Sequence, residues 1–191
     1  MVNEPSLKVV PEQINLSFVE QVNLASGQVI QRCYHCFKCT AGCPITPFMD
    51  YGPDRVLRMV QLGLKDRLMT SSTIWLCAAC EACAIRCPND IDIARVMDVL
   101  RHMALEEGYP IGEKTISNFH RLYLALIQRF GRMHEATLMG IHKLRSGDLF
   151  SDLGAGMRLF FMGKLPLLPH RIKGIKEVGA IFEQTMKGAT R

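Results

Sequence analysis

The apolar residues of this chain recur three or four positions apart along most of its length, which is the spacing of one helix face. Before residue 110 this pattern predicts a short helix over residues 16–25. A second helix runs from Asp50 or Pro53 to about Met69, and a third begins at Asp90 or Asp92. Its apolar face consists of Ile93, Met97, Leu100 and Ala104. The first half of the chain is therefore predicted to be helical.

The pattern stays helical beyond Pro110. It predicts helices over residues 113–129, 133–144, 149–161 and 172–186, with a linker at Pro166 and Pro169. We expect residues 110–191 to form a helical extension for partner docking, separate from a first domain of residues 1–109.

All eight cysteines fall in two copies of one spacing pattern. The first run contains Cys33, Cys36, Cys39, Cys43 and Pro44, and the second run contains Cys77, Cys80, Cys83, Cys87 and Pro88. Each run reads C-x2-C-x2-C-x3-C-P, the run that holds a pair of [4Fe–4S] cubanes in two-cluster ferredoxins. Three cysteines at two-residue gaps can surround one cube, whereas the fourth, stopped by proline, points toward the other.

This spacing predicts two clusters with an exchanged fourth ligand. One cluster would be held by Cys33, Cys36, Cys39 and Cys87, and the other by Cys77, Cys80, Cys83 and Cys43. Zinc sites favour paired C-x2-C motifs with four ligands per ion, so three cysteines at strict two-residue gaps are one too many. Disulfides are typical of oxidising compartments and small secreted chains. The cysteines therefore predict electron transfer, with a zinc-stabilised interaction protein as the weaker alternative.

The segment between the two runs decides the fold class. Small bacterial ferredoxins fill the corresponding gap with strands and turns, but here Val56, Val60 and Leu64 mark a helix of about four turns. We therefore predict an all-α protein, with an α-helical ferredoxin domain that holds both clusters and a helical C-terminal extension.

Other side chains beside the cysteines could tune or shield the clusters. His35 either donates a hydrogen bond toward a cluster or stays exposed to solvent. Lys38 and Arg86 either offset cluster charge or stay solvated. Candidates for an apolar shield are Ile45, Ile74, Trp75 and Ile85. We assign no catalytic residue.

The net charge of +5 is divided unevenly along the chain. Residues 1–109 carry 10 basic and 12 acidic side chains, and residues 110–191 carry 13 basic and 6 acidic ones. The basic residues are scattered and lack interleaved aromatics, which favours docking to an acidic protein surface over nucleic-acid binding. We see no signal peptide and no apolar segment of bilayer length. Together with reduced cysteines, this predicts a cytoplasmic protein.

The two cysteine runs resemble those of a known family. The first reads Cys-Tyr-His-Cys-Phe-Lys-Cys-Thr-Ala-Gly-Cys-Pro, and residues 75–88 read Trp-Leu-Cys-Ala-Ala-Cys-Glu-Ala-Cys-Ala-Ile-Arg-Cys-Pro. With the length and the helical tail, they resemble the C subunit of heterodisulfide reductase, its iron–sulfur electron-transfer component. Similar runs occur in the iron–sulfur subunits of succinate dehydrogenase, fumarate reductase and anaerobic glycerol-3-phosphate dehydrogenase. This sequence has neither the upstream cysteine set for a [2Fe–2S] centre nor a Cys-Cys-Gly motif.

The resemblance implies a non-catalytic electron-transfer subunit of an oxidoreductase complex. In that family, the A subunit holds FAD and bifurcates electron pairs, and the C subunit passes single electrons through two cubanes. The B subunit receives them at noncubane clusters built from Cys-Cys-Gly motifs and reduces the disulfide of coenzymes M and B. By this analogy the chain binds A-like and B-like partners in a hetero-oligomer, in methanogenesis or in bacterial sulfur metabolism. The alternatives are an iron–sulfur subunit of another anaerobic dehydrogenase or sulfur-oxidising complex, and a free ferredoxin-like carrier.

Overall fold

The structure is a computed structural model that describes residues 10–11, 14–146, 153–163 and 172–188. Every regular element within these ranges is helical, which confirms the predicted all-α class. The chain divides into two compact units, residues 1–114 and 115–191. The functional assignment of a cluster domain that ends at residue 109 stays a prediction.

The first unit contains short and medium-length helices. In the described part these are α1 (Phe18–Ser26), α2 (Lys38–Ala41), α3 (Pro53–Gln61), α4 (Lys65–Met69), α5 (Thr73–Leu76), α6 (Ala82–Ile85) and α7 (Ile93–Glu106). Two 3-10 turns, Ile30–Arg32 and Thr46–Phe48, lie between them.

Helix α7 lies at the centre of the first unit and contacts α1, α4, α5 and α6. Its buried face includes Ile93, Val96, Met97 and Leu100, each at most 1 % exposed. Full burial of an aliphatic side chain of this size contributes about 1.5–3 kcal/mol. The helix begins where predicted, because the carboxylate of Asp92 accepts a hydrogen bond from the backbone N–H of Arg95 at 3.0 Å.

The helix predicted from Asp50 or Pro53 to about Met69 is instead two helices, α3 and α4, so that prediction is wrong. The chain turns between them at Gly63, which has a φ of +70°. A Cβ atom at Gly63 would lie 2.5 Å from the carbonyl oxygen of Asn15, and the Asn15 N–H donates to the Gly63 oxygen at 2.8 Å. The break therefore depends on a contact with a distant part of the chain, which helical spacing does not reveal.

The two cysteine runs share one local structure. A helical turn precedes the first cysteine of each run, at Ile30–Arg32 and at α5, and a one-turn helix carries each third cysteine, in α2 and α6. Helix α2 packs against α3, α6 packs against α7, and α2 and α6 pack against each other. The structural repeat therefore extends past the cysteines into helices α3 and α7, whose sequences differ.

The second unit contains four described helices. These are α8 (Lys114–Phe130), which begins at the last residue of the first unit, α9 (Glu135–Ser146), α10 (Leu153–Phe161) and α11 (Ile175–Gly188). Leu122 and Leu126 of α8 and Leu138 of α9 form its buried cluster. The predicted linker at Pro166 and Pro169 lies outside the described residues, as does the predicted start of a helix at residue 149. Within the described ranges, no helix combines the length and the apolar character needed to cross a membrane.

Candidate metal centres in the cysteine loops

The eight cysteines line two cavities, and each cavity draws on both runs. The first cavity is lined by Cys33, Cys36, Cys39 and Cys87. The second cavity is lined by Cys43, Cys77, Cys80 and Cys83. The structure therefore brings together the two sets of cysteines that the spacing groups, while their ligation of metal stays a prediction.

Both cavities are partly open to solvent. No group of three or more His, Cys, Asp or Glu side chains in the described residues is arranged to hold a single metal ion. The donor set around each cavity is four thiols, which fits a thiolate-bound [4Fe–4S] cluster.

The backbone of both loops adopts a left-handed conformation at equivalent positions. In the first run His35 and Phe37 have φ values of 57° and 63°, and in the second run Ala79 and Glu81 have values of 49° and 59°. Such a conformation costs about 1–3 kcal/mol for a residue other than glycine. Successive N–H groups in mixed left- and right-handed turns form concavities that bind anions, including iron–sulfur clusters. This backbone is therefore suited to a negatively charged group inside each loop.

Burial makes the inner thiols poor acids when no metal is bound. It raises the pKa of Cys39 to about 11, with a further contribution from the nearby Asp54 carboxyl group. It also raises the pKa of Cys83 to about 11, where Cys77 adds to the effect. Binding a cluster deprotonates its thiol ligands, so it would release protons from these loops.

His35 and Gln61 form a polar contact on the first loop. His35 is half-buried, and its Nδ1 lies 4.0 Å from the Sγ of Cys33. Its Nε2 lies 2.9 Å from Oε1 of Gln61, whose Nε2 donates to the carbonyl oxygens of Ile30 and Cys33. Of the two alternatives for His35, the structure favours the hydrogen-bonded side chain over full exposure. The contact of Gln61 with the first loop was not predicted, because Gln61 lies in α3, 28 residues after Cys33 in the sequence.

A buried carboxyl group also lies beside the first loop. Asp54, in the first turn of α3, is 4 % exposed. The Thr40 hydroxyl donates to its Oδ1 and accepts from its backbone N–H at 3.0 Å. This pair joins α2 to α3 next to Cys39.

A mostly buried cation lies beside the second loop. Arg101 of α7 donates from Nη2 to the carbonyl oxygen of Cys77 at 3.3 Å, and its side chain is 13 % exposed. Its Nε is buried without a hydrogen-bond partner in the structure. Burial raises the pKa of Cys77, and the positive charge of Arg101 partly opposes that rise.

The predicted apolar shield is correct in part. Ile45 lines the second cavity, and Ile74 and Trp75 are buried in the core. Ile85 is 85 % exposed, so that prediction is wrong. Residues two positions apart in a helix are separated by about 200° around its axis. Ile85 therefore lies on the opposite side of α6 from Cys83, which lines the second cavity.

The two cations considered near the clusters are exposed. Lys38 and Arg86 both face solvent, which corresponds to the solvated alternative. Arg86 also covers Gly42, where an added Cβ would lie 2.4 Å from the Arg86 Cδ. Gly42 and Arg86 occupy the same position in the two runs, so this contact lies where α2 meets α6.

A family comparison agrees with the geometry of the loops. Residues 32–92 match the 4Fe-4S dicluster domain, and this range includes all eight cysteines. Residues 32–92 thus carry the sequence of an iron–sulfur domain of the dicluster type.

Several curated proteins are similar to this chain. It is 34% identical over 128 residues to the second iron–sulfur C subunit of CoB--CoM heterodisulfide reductase from Methanocaldococcus jannaschii, covering 63% of this chain and 65% of the relative. It is 31% identical over 96 residues to the C subunit of H(2):CoB-CoM heterodisulfide,ferredoxin reductase from Methanothermobacter marburgensis, covering 50% and 52%. The chain is therefore similar in sequence to C subunits of heterodisulfide reductases, which confirms the predicted resemblance. The matches span about half to two thirds of the length of these relatives.

Replacing Thr40 with Val should destabilise the first loop, because the buried Asp54 carboxyl group would lose its hydroxyl donor. We expect a loss of about 1–3 kcal/mol in the free energy of unfolding. At roughly 2–4 °C per kcal/mol for a chain of this size, the midpoint of thermal unfolding should fall measurably in protein purified without oxygen. Thr40→Ser keeps the hydroxyl and should unfold close to the wild type. Equal losses in the two variants would contradict the role given to the hydroxyl.

Proposed function

We propose that this iron–sulfur electron-transfer subunit holds two [4Fe–4S] clusters with exchanged fourth ligands. Cys33, Cys36, Cys39 and Cys87 would hold one cluster, and Cys77, Cys80, Cys83 and Cys43 the other. The observation that carries the proposal is the lining of the two cavities, since each has three cysteines of one run and one of the other. When bound, such clusters accept and release single electrons.

The arrangement of the loops suits a relay. Helices α2 and α6 carry the third cysteine of each run and pack against each other, so the two candidate sites are neighbours within one unit. Cys36 and Cys80 are exposed, which brings an edge of each loop to the surface. A protein partner that contacts either edge would therefore reach a redox site without a substrate channel.

We further propose that the chain works inside a heterodisulfide-reductase-like complex in the cytoplasm. It would relay electrons from an A-like subunit, which contains FAD and bifurcates electron pairs, to a B-like subunit that reduces a disulfide at Cys-Cys-Gly noncubane clusters. The names of the similar proteins, which specify the C subunit of such reductases, support this assignment. The chain itself would supply no catalytic residue.

Residues 110–191 are the proposed docking region for these partners. In this part of the chain, Leu124, Leu144 and Phe161 are large apolar residues that are at least half exposed. They occur in a region with 13 basic and 6 acidic side chains. Exposed apolar residues in a region with an excess of basic side chains would suit a protein surface of acidic character.

Purification of the tagged native chain without oxygen tests the proposed function. We expect two partners to co-purify and to be identified by mass spectrometry, one that contains FAD and one with Cys-Cys-Gly motifs. A different dehydrogenase partner would replace this assignment with the nearest alternative. A chain that elutes alone with both clusters intact would contradict the complex and favour a free carrier.

The exchanged ligation predicts which cysteine variants share a defect. Cys87→Ala and Cys33→Ala should each lose the first cluster, because both residues line the first cavity. Cys43→Ala and Cys77→Ala should each lose the second. Low-temperature EPR of the reduced variants should then give one spectrum for the surviving cluster of the first pair and a different spectrum for the second pair.

Ligation within each run gives the opposite grouping. The spectrum of Cys87→Ala would then match that of Cys77→Ala, and the spectrum of Cys43→Ala would match that of Cys33→Ala. That result would exclude the exchange and leave the presence of two clusters unaffected.

A further inference from the structure

The structural repeat places Gln61 and Arg101 at equivalent positions. Helices α3 and α7 follow the fourth cysteine of their runs, and each of these residues lies eight positions after the first residue of its helix. The Gln61 Nε2 donates to the carbonyl oxygen of Cys33 at 3.2 Å, and the Arg101 Nη2 donates to that of Cys77 at 3.3 Å. The two side chains thus make the same contact with the first cysteine of each loop, although one is neutral and the other is positively charged.

A second pair of equivalent positions differs in charge in the same direction. Asp54 is the second residue of α3, and its counterpart, the second residue of α7, is Ala94. Asp54 is 4 % exposed and lies beside the first loop, whereas Ala94 lines the second cavity. The first loop therefore has a buried carboxyl group where the second has a methyl group.

We infer that Arg101 and Asp54 make the two sites electrostatically unequal, so that the cluster of the Cys77 loop has the higher reduction potential. The inference rests on the proposed pair of clusters. An added electron is a negative charge, which a buried cation stabilises and a buried carboxylate destabilises. An electron shared by the two sites would therefore reside mainly beside the Cys77 loop. Arg101 contacts the backbone of the loop, so it would act on the cluster through its charge and not as a ligand.

Other nearby charges would act in the opposite direction, but they are exposed. On the first loop, the exposed Arg58 donates from Nη1 to the Gln61 Oε1 at 3.2 Å. Asp98 lies 3.7 Å from Arg101 Nη2 with a side chain 61% exposed. Glu81 lines the second cavity, and Lys38 belongs to the first run, and both are exposed. Water and salt screen exposed charges much more strongly than buried ones. Asp54 is 4 % exposed and the Arg101 side chain is 13 % exposed, so these two mostly buried charges determine the sign of the difference.

Redox titration of the chain purified without oxygen, followed by low-temperature EPR, tests this inference. Arg101→Gln should lower the higher of the two potentials and leave the other nearly unchanged. Gln61→Arg should raise the lower potential, as should Asp54→Asn. We expect Arg101→Gln to change the division of an electron between the sites about tenfold, which corresponds to about 59 mV for a one-electron couple.

Two control variants separate charge from structure. Arg101→Lys keeps the positive charge and should keep a potential close to that of the wild type. Arg95→Gln removes an exposed charge from the same helix and should shift neither potential. If Arg101→Gln leaves both potentials unchanged or moves the lower one, or if Gln61→Arg moves the higher one, the inference is wrong.

Iron and acid-labile sulfide, measured on the same samples, separate this failure from failure of the proposed function. Full cluster content with potentials that do not respond to Arg101 or Gln61 would overturn only the electrostatic inference. Wild-type chain without iron and sulfide would overturn the proposed clusters and, with them, the inference.

Discussion

Each cysteine loop can complete its set of four only if the other loop lies against it. Three cysteines of one run and the fourth of the other line each cavity, and this grouping requires α2 and α6 to pack together. At this contact the side chain of Arg86 lies directly over Gly42. The rest of the first unit holds the loops in this arrangement. Helix α3 packs against α2, helix α7 packs against α6, and the buried face of α7 belongs to the core.

The loops are costly to form without a bound group. Four residues other than glycine have left-handed backbone in them, at about 1–3 kcal/mol each, and burial keeps the inner thiols protonated. The buried face of α7 offsets part of this cost. A cluster in each cavity would offset more, because metal–thiolate bonds replace the protonated thiols and the loop N–H groups gain an anionic partner. Folding and cluster binding should therefore be strongly coupled.

The features that the sequence predicts correctly depend on residues that lie close together along the chain. The gaps between cysteines suffice to group them into two sets, and the apolar face and acidic cap of α7 suffice to place that helix. Long-range contacts explain the failures. The break between α3 and α4 needs Asn15, and the polar contacts to the loops come from Gln61 and Arg101, which lie 28 and 24 residues from the cysteines they contact. Their equivalence becomes visible only when the backbone repeat is known, because α3 and α7 differ in sequence.

Metal and sulfide analysis tests the central claim most directly. The native chain, purified without oxygen, should contain about eight iron atoms and about eight acid-labile sulfide ions, as two [4Fe–4S] clusters require. Zinc should be absent from the same sample. Two zinc ions per chain, with neither iron nor sulfide, would contradict the claim and make the protein a zinc-stabilised interaction module.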